Sequence, residues 1–247
     1  MIKLINGDCL DHLKSLNNDQ IDLILTSPPY NARLRLYKGR YIKIPESDKT
    51  NKKYRNFEDS LSMNDYQIFL DRFFQECLRV ARISFINLQI LTGNKVAIFN
   101  LIGKYSLNIK EVIIWDKGHS QPAIQEKTLN STFEFFLILA NDKEEAKKRQ
   151  FSKAFFDRGT FHNILRVNSR RSFDRSHSAT MPFHVVETLL KGFTNEGDLI
   201  LDPFMGLGTT GLVCKKLERD FIGIEIDPHY FNLAKERISQ PIQTSLL

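Results

Sequence analysis

A glycine turn placed almost at the end of the chain constrains the fold more than any other feature. Residues 198–211 read DLILDPFMGLGTTG, an apolar strand, then a turn carrying Gly206 and Gly208, then a helix opening at Thr209. Glycine lets the backbone bend sharply there and lets a ligand lie against it without meeting a Cβ. The helix start offers free N–H groups and the positive end of a dipole. Glu225 follows Gly208 by 17 residues and ends the next apolar run, FIGIEI, where a carboxylate can accept both hydroxyls of a ribose. Gly206, Gly208 and Gly211 also satisfy G-x-G-x-x-G, so a dinucleotide site has to be weighed. Such a site needs about six strands counted from the glycine turn. Only some 36 residues follow Gly211, room for one strand and one helix. The rest of the sheet must come from residues before the turn, a circularly permuted order that a nicotinamide dehydrogenase does not obviously tolerate.

The preceding sequence supplies that sheet. Ile2–Asn6, Ile21–Thr26, Ile83–Leu88, Glu111–Trp115 and Phe133–Leu139 read as strands, joined later by Asp198–Leu201 and Phe221–Ile226. Alternation with helical patterns predicts an α/β fold with a mostly parallel seven-stranded sheet and one antiparallel strand, from pairing of 111–115 with 133–139. Asn64–Val80 is an amphipathic helix whose stripe includes Tyr66, Leu70, Phe73, Phe74 and Cys77. Further helices are expected from Met181-Pro182 to Leu190, from Thr209 to Leu217 and from Tyr230 to Ile238. Residues 33–60 lack core-forming periodicity, and 142–150 (DKEEAKKRQ) reads as a solvated charge run. One domain over 1–247 is expected, with a basic loop insertion at about 33–60 and a polar region at about 142–176.

Composition closes off several classes. Cys9, Cys77 and Cys214 are isolated, with no C-x-x-C, which argues against a disulfide framework or a zinc site and for a reducing compartment. The N-terminus carries acids and no long apolar core, and no run of about 18 apolar residues occurs anywhere, so a cytoplasmic protein without a membrane span is expected. The net charge of +6 fits a polyanionic partner.

Residues 22–31 read DLILTSPPYN. Two prolines straight after a buried strand fix the backbone and remove two N–H donors, so the carbonyls there should remain as outward acceptors. Ser27 adds a hydroxyl and Tyr30 a flat face, a set suited to a planar ring bearing an amino group.

TSPPY at 26–30 and LDPFMGLGTTGL at 201–212 resemble, in this order, the β-type amino-methyltransferases of bacterial DNA. HSATMPFHVVETLL at 177–190 is similar to that family's segment over the methionine moiety of its cofactor, and NGDCL at 6–10 to its adenine-side motif. The resemblance implies a Rossmann-like methyltransferase fold using S-adenosyl-L-methionine and no metal. Asp202, Pro203, Phe204, Gly206, Gly208 and Thr209 would line the cofactor, Glu225 its ribose, Asp8 and Cys9 its adenine, and His177 and Ala179 its methionine side. Some members have Pro where Ser178 stands, and a loop or cap role for His177 stays open. Ser27, Pro28, Pro29 and Tyr30 would be the catalytic set, acting on a base flipped out of double-stranded DNA. Serine before Pro-Pro favours cytosine N4 over adenine N6 by that resemblance, and both remain open. Methylation of a ring carbon needs a cysteine nucleophile, for which that family uses a Pro-Cys pair absent here. A restriction endonuclease companion and a homodimer are compatible with the resemblance; an RNA substrate and an inactive DNA-binding protein are the competing readings.

Two basic stretches are candidate DNA surfaces. Residues 33–55 carry Arg33, Arg35, Lys38, Arg40, Lys52, Lys53 and Arg55 among others, with Tyr37, Tyr41 and Tyr54 interleaved. The second, from Lys147 to Arg175, includes Lys153, Arg158, Arg166, Arg170 and Arg171 and matches the family's recognition region, where base-edge contacts should concentrate.

Overall fold

The structure is a computed structural model that describes residues 1–32, 34–37, 40–43, 61–118, 126–127, 129–166 and 181–241. In chain order its elements are β1 (Ile2–Asn6), α1 (Cys9–Lys14), β2 (Ile21–Thr26), β3 (Leu34–Tyr37), β4 (Arg40–Lys43), α2 (Met63–Val80), β5 (Ala81–Leu88), α3 (Lys95–Lys104) and β6 (Ile109–Asp116). There follow β7 (Phe133–Ala140), α4 (Lys143–Lys147), β8 (Ile164–Arg166), α5 (Phe183–Phe193), β9 (Leu199–Asp202), α6 (Thr209–Lys216), β10 (Asp220–Glu225) and α7 (Pro228–Ser239). The main sheet runs β1-β10-β9-β2-β5-β7-β6-β8.

Seven of these strands are the expected ones, and only β7 runs against its neighbours. The sheet has eight strands rather than seven. The extra one, β8, is a three-residue edge pairing parallel with the end of β6, too short to show a period in the sequence. A second departure lies in the basic insertion, where β3 and β4 form an antiparallel hairpin with Leu34 opposite Lys43 and Tyr37 opposite Arg40.

Side chains alternate across each strand, so the sheet is apolar on both faces. On one face Ile24, Ile86, Leu137, Leu139, Leu201 and Ile222 pack under α1, α2 and α3. On the other Leu23, Leu25, Phe85, Phe136, Ile138 and Phe221 pack under α5, α6 and α7. Helix α2 starts at the Ser62 cap, whose hydroxyl accepts from the Asp65 amide, and lays Tyr66, Leu70, Phe73, Phe74 and Cys77 into the first core. Helix α7 starts with Pro228 behind the Asp227 cap.

The charge run at 142–150 is more than a solvated stretch. A register shift between Ile109 and Glu111 gives β6 one extra residue, Lys110, and a bulge re-aims a side chain. The buried Lys110 ammonium donates to the carbonyls of Glu145, Lys148 and Gln150 at 2.7, 2.6 and 2.7 Å. It also pairs with the Glu145 carboxylate at 3.1 Å, anchoring α4 and its exit to the sheet. Beyond it Phe151, Phe156 and Phe161 gather around Phe193 of α5.

Candidate active site

Chain order reverses between β9 and β2, which lie side by side with Ile24 opposite Leu201. In open α/β sheets ligands bind in the crevice beyond the carboxyl ends of strands at such a switch point. Both sharp motifs occupy it, the glycine turn leaving β9 and the Ser-Pro-Pro-Tyr loop leaving β2. Glu225 ends β10 on the next strand, and Asn6 opposite it ends β1, ahead of Asp8 and Cys9.

The two motifs are bonded to one carboxylate. Asp202 accepts from the Thr26 hydroxyl at 2.6 Å, from the Thr210 hydroxyl at 2.7 Å and from the Phe204 amide at 3.2 Å. Its side chain is buried, and burial raises its pKa to about 6 against the pull of these three donors. Asp202 thus serves the frame of the crevice. Pro203 and Thr209 are buried beside it, and the Phe204 ring meets Phe73 of α2 edge-on at 5.1 Å.

The two glycines of the turn differ. Both have positive φ, 52° at Gly206 and 74° at Gly208. A Cβ on Gly206 would meet nothing within 4 Å, so this face of the turn is open to a ligand. A Cβ on Gly208 would lie 2.7 Å from Ile238 Cδ1 and 3.1 Å from Ala234 Cβ. Gly208 is therefore needed for close packing of the turn on α7, and of the two glycines it is Gly206 that leaves open space. Glu225 accepts from the Gly206 amide at 3.0 Å and the Asp227 amide at 2.8 Å, and burial pushes its carboxyl up. Each of its oxygens keeps lone pairs beyond those two bonds. Asp8 is exposed and caps α1 through the Leu10 amide at 2.8 Å, with Cys9 buried behind it.

The Ser-Pro-Pro-Tyr loop is held from behind by residues that the sequence did not assign to the site. The Pro29 carbonyl accepts from the Tyr66 hydroxyl at 2.8 Å, and the Tyr30 carbonyl from Asn94 Nδ2 at 2.8 Å. No local donor takes these two carbonyls; they are taken by donors 37 and 64 positions away. Among the described residues no donor meets the Pro28 carbonyl. Asn31, at φ 53°, donates to the carbonyls of Leu61 and Gly93. The Tyr30 hydroxyl donates to Glu134 at 2.9 Å, accepts from Asn87 at 2.9 Å and lies 2.9 Å from the Ser27 hydroxyl. Burial and the Glu134 carboxylate raise the pKa of the Tyr30 phenol well above its usual value. Asn87 and Glu134 are polar residues inside the apolar strands ARISFINL and FEFFLILA, and that anomaly was the available signal.

A protein-family model described as DNA methylase, covering N6 and N4 amino-methyltransferases, matches residues 21–236. The chain belongs to this family. Among curated relatives the DNA methylase is similar to the type II methyltransferase M.HpaI of Haemophilus parainfluenzae, 28% identical over 261 residues, covering 96% of this chain and 74% of that protein. It is also similar to the type II methyltransferase M.HinfI of Haemophilus influenzae, at 24% over 258 residues, 96% of this chain and 68% of that protein. Its fold resembles that of the cytosine-N4-specific PvuII DNA methyltransferase, with a TM-score of 0.72 at 17% identity over 98% of this chain and 88% of that one. The crystal structure of an M1.HpyAVI–SAM complex aligns with a TM-score of 0.61 at 25% identity, over 96% of this chain and 100% of that one.

The remaining expected site residues of this DNA methylase fall in different places. Arg35 and Arg40 lie on the β3–β4 hairpin. Arg166 ends β8, its side chain 80% exposed and 3.9 Å from Asp116. His177, Ala179, Arg33, Lys38, Lys52, Lys53, Arg55, Arg170 and Arg171 lie outside the described residues. Lys153 is committed elsewhere, since it pairs with Asp198 at 2.6 Å and with Asp22 at 3.5 Å at the opposite end of the strands from the crevice. All three cysteines are buried, and burial pushes each thiol above its ordinary range, the wrong direction for a nucleophile. Among the described residues no helix is long and apolar enough to cross a membrane.

Proposed function

We propose that this DNA methylase transfers a methyl group from S-adenosyl-L-methionine to the exocyclic amine of a base flipped out of double-stranded DNA, cytosine N4 being the favoured target. The observation that carries this reading is that the turn with the open glycine face at Gly206 and the Ser27-Pro28 loop leave adjacent strands, β9 and β2, at one switch point. S-adenosyl-L-methionine would supply an activated methyl group on a sulfonium. The residues fit such a group: Gly206 leaves the turn open to it, Glu225 offers free lone pairs to ribose hydroxyls, and Phe204 adds an apolar wall.

The chain's own work is then orientation. An exocyclic amine is a weak nucleophile because its lone pair is delocalised into the ring. Acceptors at Ser27 Oγ and the Pro28 carbonyl can take the two amino hydrogens and draw the nitrogen toward a tetrahedral shape, which frees the lone pair; once methylated, the nitrogen releases one of those two protons to solvent. Holding reacting groups in line removes much of the entropic part of a barrier. Tyr30, its hydroxyl tied down, offers its ring as a surface on which a flipped base can stack, as aromatic side chains do for unpaired bases. No cysteine is required. The preference for cytosine rests on Ser27, where adenine-directed relatives more often carry an acid or amide.

Incubation with methyl-labelled S-adenosyl-L-methionine and unmodified DNA or RNA tests the reading. Label in a product degraded by DNase and resistant to RNase supports it. Label in RNA alone, or none in either, overturns it.

A further inference from the structure

The single antiparallel strand has a chemical consequence. Because β7 runs against β5 and β6, its first residues lie where those neighbours end, at the crevice. Glu134, its second residue, is thereby brought to Tyr30 from 104 positions away. Its carboxylate also accepts from Asn87 Nδ2 at 2.7 Å and Lys117 Nζ at 3.2 Å, so it is itself fixed from two sides.

The hydrogen-bond directions follow from the groups present. A hydroxyl has one proton to give and two lone pairs, a carboxylate only accepts and an amide NH2 only donates. The Tyr30 proton goes to Glu134, and one Tyr30 lone pair is filled by Asn87. The Ser27–Tyr30 contact can then be made only with Ser27 as donor. Ser27 spends its proton on Tyr30 and keeps its lone pairs. Without Glu134, the Tyr30 proton would turn to Ser27, fill one of those lone pairs and free the Ser27 proton to point outward. An amino group offers hydrogens, so a serine presenting its own hydrogen would repel it.

We propose that Glu134 is a positioning residue for methyl transfer, which sets the direction of the Ser27–Tyr30 hydrogen bond and so keeps Ser27 an acceptor for the target amine. This rests on the function proposed above. Glu134 acts through Tyr30 and touches neither substrate nor cofactor.

A double-mutant cycle on the full chain tests it, reading single-turnover methyl transfer to PCR-amplified DNA at saturating DNA and S-adenosyl-L-methionine, with cofactor affinity measured separately by calorimetry. E134A should slow transfer about ten- to a hundredfold, the span expected for loss of a hydrogen bond to a charged group. Cofactor affinity should change by no more than about twofold, since Glu134 is no part of the glycine turn. E134Q, whose amide oxygen can still accept the Tyr30 proton, should recover most of the rate. In a Tyr30→Phe background, E134A should cost less than about threefold, because the hydroxyl through which it acts is gone. An equal cost of E134A in both backgrounds, or E134Q as slow as E134A, would overturn the proposal. Weakened cofactor binding by both Glu134 variants would reassign Glu134 to the frame and overturn it too. Absence of transfer by the wild-type chain would instead overturn the function on which it rests.

Discussion

The Thr26 hydroxyl donates to Asp202 at 2.6 Å, joining the last residue of β2 to the last residue of β9 across 176 positions of sequence. Thr210, on the first turn of α6, occupies the other oxygen of the same carboxylate. One buried acid therefore fixes the spacing between the loop that leaves β2 and the turn that leaves β9, and with it the width of the crevice.

That acid should leave a signature in stability against pH. The folded pKa of Asp202, about 6, lies above its ordinary 3.8, so the folded state holds this proton more tightly. The advantage is complete below the ordinary value and is lost as pH rises through the folded one, a change on the order of 3 kcal/mol. Asp202→Asn cannot titrate and can still accept from one threonine. Thermal melts should show the wild type losing stability relative to D202N between pH 4 and pH 7. Parallel profiles would show that burial of Asp202 is not coupled to protonation.

The two glycines should fail in different ways. Gly206→Ala forces a side chain into left-handed backbone, costing about 1–2 kcal/mol, and points a methyl group into the open face. It should keep the fold and lose S-adenosyl-L-methionine affinity. Gly208→Val drives a branched side chain into Ile238 and Ala234, so its main effect should be a lower melting temperature. Calorimetry beside thermal melts separates the two, and a G206A variant with unchanged affinity would remove the turn from the binding site.

Tyr30→Ala should retain cofactor affinity, because the loop backbone stays tied through Pro29 to Tyr66 and through residue 30 to Asn94. It should lose most methyl transfer with the stacking surface. Ser27→Ala should slow turnover less, with the Pro28 carbonyl still available. Wild-type rates in both variants would make the loop a purely structural feature.

Much of this site was legible because it is local. A glycine turn after an apolar strand, a Pro-Pro pair after another and a Glu at the end of the next strand each leave a mark within a few residues. What closes the site is not local. Glu134 reaches Tyr30, and Lys117 reaches Glu134, because β7 is inserted antiparallel between β5 and β6; the β6–β7 pairing was expected, but no spacing in the sequence records that β7 also pairs with β5. Lys153 misleads in the other direction, since it reads as part of a basic DNA surface, and Lys110 carries no signal in the sequence at all. One is held by Asp198 and Asp22, the other by three carbonyls behind a bulge. The short β8 and the β3–β4 hairpin were missed because three or four residues carry too little period to register.

The basic segment 33–55 is proposed to contact DNA through phosphates. Neutralising Lys49, Lys52, Lys53 and Arg55 together should weaken specific and random DNA alike, because phosphate contacts carry little sequence information. The slope of log affinity against log salt should flatten by roughly 0.9 for each phosphate contact removed, with cofactor affinity unchanged. An unchanged slope across a salt series would move the DNA surface to the stretch around Arg166, Arg170 and Arg171.

The central claim is tested most directly by the identity of the modified base. DNA methylated by the purified chain, digested to nucleosides and resolved by chromatography and mass, should contain N4-methylcytosine. N6-methyladenine would keep the amino-transfer chemistry and reverse the choice of base. Methylation at carbon 5 of cytosine, or no methylated nucleoside at all, would contradict an enzyme that works by orienting an exocyclic amine between Ser27, Pro28 and Tyr30.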